Sequence, residues 1–175
     1  KKIAYIALAL WMIVLLLTGC ELPLLDSMAS PDGETVEVTP MPLPEGSFLQ
    51  VHYIDVGQAD AALVLCDGEA MLIDGGNRED SGLMYSYLKA YGITELQYVV
   101  CTHGHEDHCG GLAGALNYAK AEKVYCPVTW FDSTAFQNFV TQLKKQGLSL
   151  TVPKVGETFS LGNAICTIID PIRDS

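Results

Sequence analysis

Positive charge and histidine are both scarce in this chain. Of its 175 residues, 10 are Lys or Arg against 21 Asp or Glu, and four are His. A formal charge of −11 argues against a general nucleic-acid binder, which would present a basic face. None of the six cysteines falls in a C-x-x-C pair, so no short-spaced thiolate metal site is written into the chain. No internal repeat is present. Charged residues make up only 18%, whereas 49% are hydrophobic, which excludes a disordered chain. At about 150 residues per domain, the length suits one domain with appendages.

The longest apolar run stands at the start. Lys1 and Lys2 precede fifteen residues, 3–17, with no charged side chain. Fifteen helical residues rise only ~22 Å, short of a ~30 Å hydrocarbon core, so the run reads as a signal segment rather than a span. Leu17-Thr18-Gly19-Cys20 follows, and it resembles the lipobox of bacterial lipoproteins. That resemblance implies cleavage before Cys20, lipid on Cys20, and an extracytoplasmic domain anchored to the membrane. The expected organisation is a signal peptide (1–19), a lipidated spacer (20–46) and a folded domain (47–175). The spacer holds five prolines and six acids with no Lys or Arg, and reads as extended and self-repelling.

Without Cys20, five cysteines remain: Cys66, Cys101, Cys109, Cys126 and Cys166. Most end or sit within apolar runs and read as small core hydrophobes. Their number leaves room for one disulfide.

Turn residues and apolar periods predict strands at 48–56, 61–66 and 70–73, with Asp67-Gly68 as a hairpin turn. Helical spacing predicts helices at 81–91, 111–119 and from Asp132 or Ser133 to 146. Further strands are expected at 96–102, 123–126, 148–152, 158–161 and 164–169. The order βββαβαβαβββ is mixed α/β, with strands packed under helices.

The chemistry concentrates in Val99-Val100-Cys101-Thr102-His103-Gly104-His105-Glu106-Asp107-His108-Cys109-Gly110-Gly111. An apolar strand delivers three imidazoles and a carboxylate to one loop, and a glycine pair opens the next helix. Three histidines and two acids within six residues cannot all be buried without partners. A divalent cation such as zinc takes neutral imidazole and carboxylate ligands. His103 and His105 can converge on one ion, and Asp107 and His108 on a second. Glu106 reads as solvated. His52, in the middle of an apolar strand, reads as an ordinary strand residue.

This loop, His103-x-His105-x-Asp107-His108 after an apolar strand, resembles the signature of the metallo-β-lactamase fold. Leu72-Ile73-Asp74-Gly75-Gly76 stands where that fold expects its first motif. The phrase Asp55-Val56-Gly57-Gln58-Ala59-Asp60-Ala61 is similar, more narrowly, to the hydrolase domain of ComEC-type competence proteins. The resemblance covers 48 to about 170. It implies an αββα sandwich, with His103 and His105 ligating a first metal and Asp107 and His108 a second. Asp107 is also the candidate catalytic residue. Asp74 is expected to support the metal loop by hydrogen bonding; Asp60 and Asp55 either support the site or shape the Gly57 turn.

A metal-bound hydroxide would then be the nucleophile. The implied activity is an exported, metal-dependent hydrolase of phosphodiesters, whether small molecules or DNA, with a competence or DNA-uptake role. Two alternatives stay open: a non-catalytic surface binding module of a DNA-uptake system, and a hydrolase of lactams or thioesters. No protein partner is inferable. Residues 47–175 carry fifteen acids and eight Lys or Arg, and no basic stripe is visible in the sequence. The family also places two further histidines and a bridging aspartate downstream, and no histidine follows His108. The expectation is therefore the N-terminal half to two-thirds of the sandwich, with weak or single-metal binding.

Overall fold

Seven strands and four helices carry the fold in a computed structural model that describes residues 37–40 and 48–169. The expected signal segment, Cys20 and most of the spacer lie outside the described residues. Strands β1 (Leu49–Tyr53), β2 (Ala62–Cys66) and β3 (Glu69–Ile73) pair antiparallel in sequence. Their second connection is Asp67-Gly68, at φ 49° and 85°, the pair of left-handed residues that a two-residue hairpin turn requires.

After β3 the chain passes through a short 3-10 turn (Arg78–Asp80) into helix α1 (Ser81–Ala90). Strand β4 (Glu95–Val100) then joins parallel to β3, as a helical crossover dictates. Helices α2 (Glu106–Cys109) and α3 (Leu112–Tyr118) lead to β5 (Lys120–Tyr125), parallel to β4. The five strands lie in the order β1-β2-β3-β4-β5. Helix α4 (Thr134–Lys145) follows, its first turn closed by the Ser133 hydroxyl, which accepts from Phe136 N at 3.1 Å.

One face of the sheet is covered by helices. Leu63, Leu72, Leu96 and Val99 from the strands pack with Leu88 of α1, Leu112 and Leu116 of α3, and Phe136 and Phe139 of α4. The other face meets a separate hairpin, β6 (Thr158–Leu161) and β7 (Ala164–Thr167). There Leu161 packs with Val64, Cys66 and Met71, while Tyr125 stacks on Tyr98 and Phe159, and Tyr98 tilts against Phe159. Helices, five-stranded sheet and second sheet make a mixed α/β architecture in three successive layers. This second sheet does not reach β1, where Leu49, Val51 and Tyr53 are exposed. Among the described residues no helix is long and apolar enough to cross a membrane.

The structure corrects several expected elements. Residues 148–152 form no strand; Thr151 alone bridges Tyr125, because the chain touches the edge of β5 and leaves. Strand β5 starts at Lys120 rather than at 123, its polar first half hiding the strand from hydrophobic patterning. The first strand ends at Tyr53, since the chain must turn at Gly57 (φ 66°) to reach β2. Helix α2 and the 3-10 turn carry no apolar period of their own and were not expected. The described cysteines are all free, and four of the five are buried.

Candidate metal centre

Parallel strands β3 and β4 end side by side, and their exits build the site. Asp74 N donates to Val100 O at 2.8 Å, so both chains leave the sheet at the same level. Asp74 then turns with φ 55°, a left-handed conformation that costs a non-glycine residue about 1–3 kcal/mol. That strain points its carboxylate inward, where it is only 2% exposed.

Three donors converge on this buried carboxylate. Thr102 N reaches Oδ1 at 2.7 Å, Thr102 Oγ1 reaches Oδ2 at 2.6 Å, and His108 Nδ1 donates to Oδ2 at 2.9 Å. Burial pushes the Asp74 carboxyl above its ordinary value, and the bonds from Thr102 and His108 pull it back. Since a carboxylate only accepts, His108 carries a proton on Nδ1, and Nε2 is the nitrogen left for a ligand.

That Nε2 faces carboxylates. Asp107 Oδ2 and Asp60 Oδ2 each lie 3.7 Å from it. Donor atoms of His103, Asp107 and His108 all lie within 4.8 Å of one another. Ligands bound at roughly 2.0–2.2 Å stand no more than about 4.4 Å apart, so small side-chain movements would close these three on one cation. Burial, then the neighbouring His108 and His105, hold His103 below the ordinary imidazole value, which favours its neutral, ligating form. The donor set therefore fits a divalent metal.

The expected residues do not all meet. His105 lies outside this three-donor group: its ring stands edge-on to His103 at 4.9 Å and to Phe131 at 5.0 Å. Asp60 is 74% exposed at its side chain, yet its backbone is tied down, Asp60 N donating to Asp107 O at 3.1 Å and its carbonyl accepting from Gly76 N at 2.9 Å. Asp55 accepts from Gly57 N at 3.2 Å and so shapes the turn. His52 sits between helix and sheet, with Tyr87 Oη 2.9 Å from Nδ1 and Gln50 Oε1 3.1 Å from Nε2.

Other residues of the site escaped the sequence reading. Cys101 Sγ donates to His103 O at 3.0 Å and Cys109 Sγ to Gly104 O at 3.5 Å, so two buried thiols hold the loop from below. Contact with Cys126 and burial push the Cys101 thiol well up, and burial raises Cys109 to about 12, keeping both as donors. Phe131 closes the loop from above, and a Cβ on Gly104 would lie 2.5 Å from its ring. Glycines let the layers touch: a Cβ on Gly111 would run into the Gly75 carbonyl. A Cys-Thr-His run after a strand is the only local hint of this scaffold.

Comparison with known proteins decides the family. The profile of the metallo-beta-lactamase superfamily matches residues 54–172. The chain belongs to that superfamily. Ribonuclease Z of Salinispora arenicola (strain CNS-205) is 32% identical over 78 residues, 45% of this chain and 24% of that protein. MEM-A1, a subclass B3 metallo-beta-lactamase from a soil metagenome library, superposes at TM-score 0.50 with 20% identity, over 69% of this chain and 49% of that one. A metallo-beta-lactamase from Cronobacter sakazakii gives 0.49 and 21%, over 76% and 54%. This superfamily chain thus spans about a quarter of the curated relative and about half of the solved structures.

Proposed function

We propose that the chain carries the metal-holding half of a hydrolase that cleaves phosphodiesters, with zinc as its ion. One observation carries this reading: the buried Asp74 carboxylate orients His108 so that Nε2 faces Asp107, beside His103. In such a centre His103, Asp107 and His108 would hold the ion, with His105 able to join by rotating away from Phe131. A divalent cation supplies Lewis acidity and brings the pKa of water down to ~7. Asp74 fixes the tautomer of His108, Thr102 neutralises part of the Asp74 charge, and the Asp60 carboxylate stands on the open side facing His108 Nε2. The two thiols and Phe131 hold the loop so that these donors need not be ordered again when a ligand arrives.

Phosphodiester chemistry is favoured over lactam or thioester cleavage by the ribonuclease relative and by the Asp55-to-Ala61 phrase. The same phrase, with the lipobox-like segment, supports an exported, Cys20-anchored protein with a DNA-uptake role. A non-catalytic binding module is the second reading, motivated by the three-donor group, the only candidate metal cluster among the described residues.

The test uses the full chain, dialysed and then loaded with zinc. Bis(p-nitrophenyl) phosphate should be hydrolysed, metal analysis should find bound ion, and His105→Ala with Asp107→Ala should remove both turnover and ion. Stoichiometric metal without hydrolysis of any phosphodiester selects the binding module. Absence of bound metal sinks both readings.

A further inference from the structure

Resting on the phosphodiester reading, we infer that a groove beside the metal loop is an anion subsite, with Arg78 and Lys145 holding a second phosphate of the substrate. The groove has a volume of about 280 Å³ and lies between the 3-10 turn before α1 and the outer face of α4. That is ample room for a phosphoryl group, and it sits just below the ~300 Å³ at which pockets for whole small molecules begin.

Its chemistry is one-sided. No carboxylate lines it, although acids outnumber Lys and Arg fifteen to eight in residues 47–175. Asn138, Gln142 and Lys145 recur at i, i+4 and i+7, so α4 presents two amides and an ammonium along one stripe. Arg78 faces that stripe from the turn. Among the described residues neither Arg78 nor Lys145 enters an ion pair; every one found uses other groups. A guanidinium with a free fork opposite an ammonium matches a phosphate, which takes bidentate and charge-assisted bonds.

The floor ties the groove to the reaction. It is made by Gly110 and Ala113, and Gly110 stands two residues beyond His108. A Cβ on Gly110 would collide with the Arg78 amide, so the Arg78 turn rests directly on the metal loop. A chain of phosphates entering at the ion therefore has a pair of cations within the same stretch of surface, across Gly110.

Binding is read without cleavage, by fluorescence anisotropy of a labelled single-stranded DNA dodecamer on the full chain in EDTA. Arg78→Gln with Lys145→Gln should weaken binding about tenfold and lower the log–log salt slope by about 1–2. The charge-matched control, Lys120→Gln with Lys154→Gln, should change binding less than twofold. Turnover of bis(p-nitrophenyl) phosphate, which has no second phosphate for the groove to hold, should stay within twofold in the Arg78/Lys145 variant. Unchanged DNA binding, an equal loss in the control, or an equal loss on the small diester would each overturn the subsite. Failure of the wild type to cleave any diester removes the phosphodiesterase reading instead, and the anisotropy result still judges the groove.

Discussion

Asp67 and Asp74 share a backbone state and almost nothing else. Both are non-glycine residues at positive φ, 49° and 55°, and both follow an inner strand of the same sheet. Asp67 is exposed at a hairpin tip, and its carboxylate accepts from Asn163 N at 2.9 Å, joining the β2–β3 hairpin to the β6–β7 turn. Asp74 is buried and gathers Thr102 and His108 around it. In the first case a glycine could serve, since solvent satisfies whatever the carboxylate leaves. In the second the side chain is the reason for the strain. Identical dihedral angles therefore say nothing about function until burial and partners are known.

Removing Asp74 should break this contrast most forcefully. Asp74→Ala leaves Thr102 N and His108 Nδ1 without their buried acceptor, so a loss of about 1–3 kcal/mol is expected in urea unfolding. Metal affinity by titration calorimetry should drop about 10–100-fold, as it does when an orienting partner of a ligating histidine is lost. Asp74→Asn preserves shape but offers one acceptor oxygen to three donors; a smaller destabilisation of about 1–2 kcal/mol should accompany at least a tenfold weaker metal affinity. Should the Asn variant bind metal like wild type, orientation by Asp74 is not what holds His108.

Glu157 sharpens the comparison as a half-buried acid with one buried partner, Tyr125, and one half-exposed, Lys123. Tyr125 donates to its Oε1 at 2.7 Å and Lys123 Nζ lies at 3.2 Å. Tyr125, the Lys154 amide and Lys123 depress its carboxyl below the ordinary value. A depressed acid stabilises the fold above its unfolded pKa, and that contribution disappears as pH falls through the folded value. Glu157→Gln should therefore lower Tm at pH 7, and the difference should shrink steadily as pH falls below the ordinary carboxylate range; a difference that does not shrink in acid would refute the assignment. The smallest effect belongs to Asp67→Gly, within about 0.5 kcal/mol of wild type, because relief of positive φ offsets the lost bond to Asn163. A large loss there would mean that the hairpin junction, not the turn, sets the strength of this corner.

Much of the framework was legible because its causes are local. Leu83, Tyr87, Leu88 and Tyr91 announce α1, Phe136, Phe139, Val140 and Leu143 announce α4, and Asp67-Gly68 announces the hairpin. The start of β5 was not, since Lys120 and Glu122 look like a loop until β4 supplies hydrogen-bond partners. Residues 148–152 look like a strand, but only Thr151 finds a ladder to join. Cys101 reads as a core hydrophobe, and Cys109 carries no reading of its own, because composition cannot tell a buried thiol from a buried thiol that donates to a loop carbonyl.

The sequence by itself determined that nitrogen and oxygen donors would crowd one short loop after an apolar strand, for His103, His105, Asp107 and His108 lie within six residues. Short spacing survives any fold that the rest of the chain adopts. Only the tertiary structure decided which of them share a site, that Asp74 sets the proton of His108 from 34 residues away, and that Arg78 faces Lys145 across one groove. Those pairs are brought together by parallel β3 and β4 ending at one level and by α1 and α4 packing on α3, and such proximity belongs to packing, which a linear pattern does not encode.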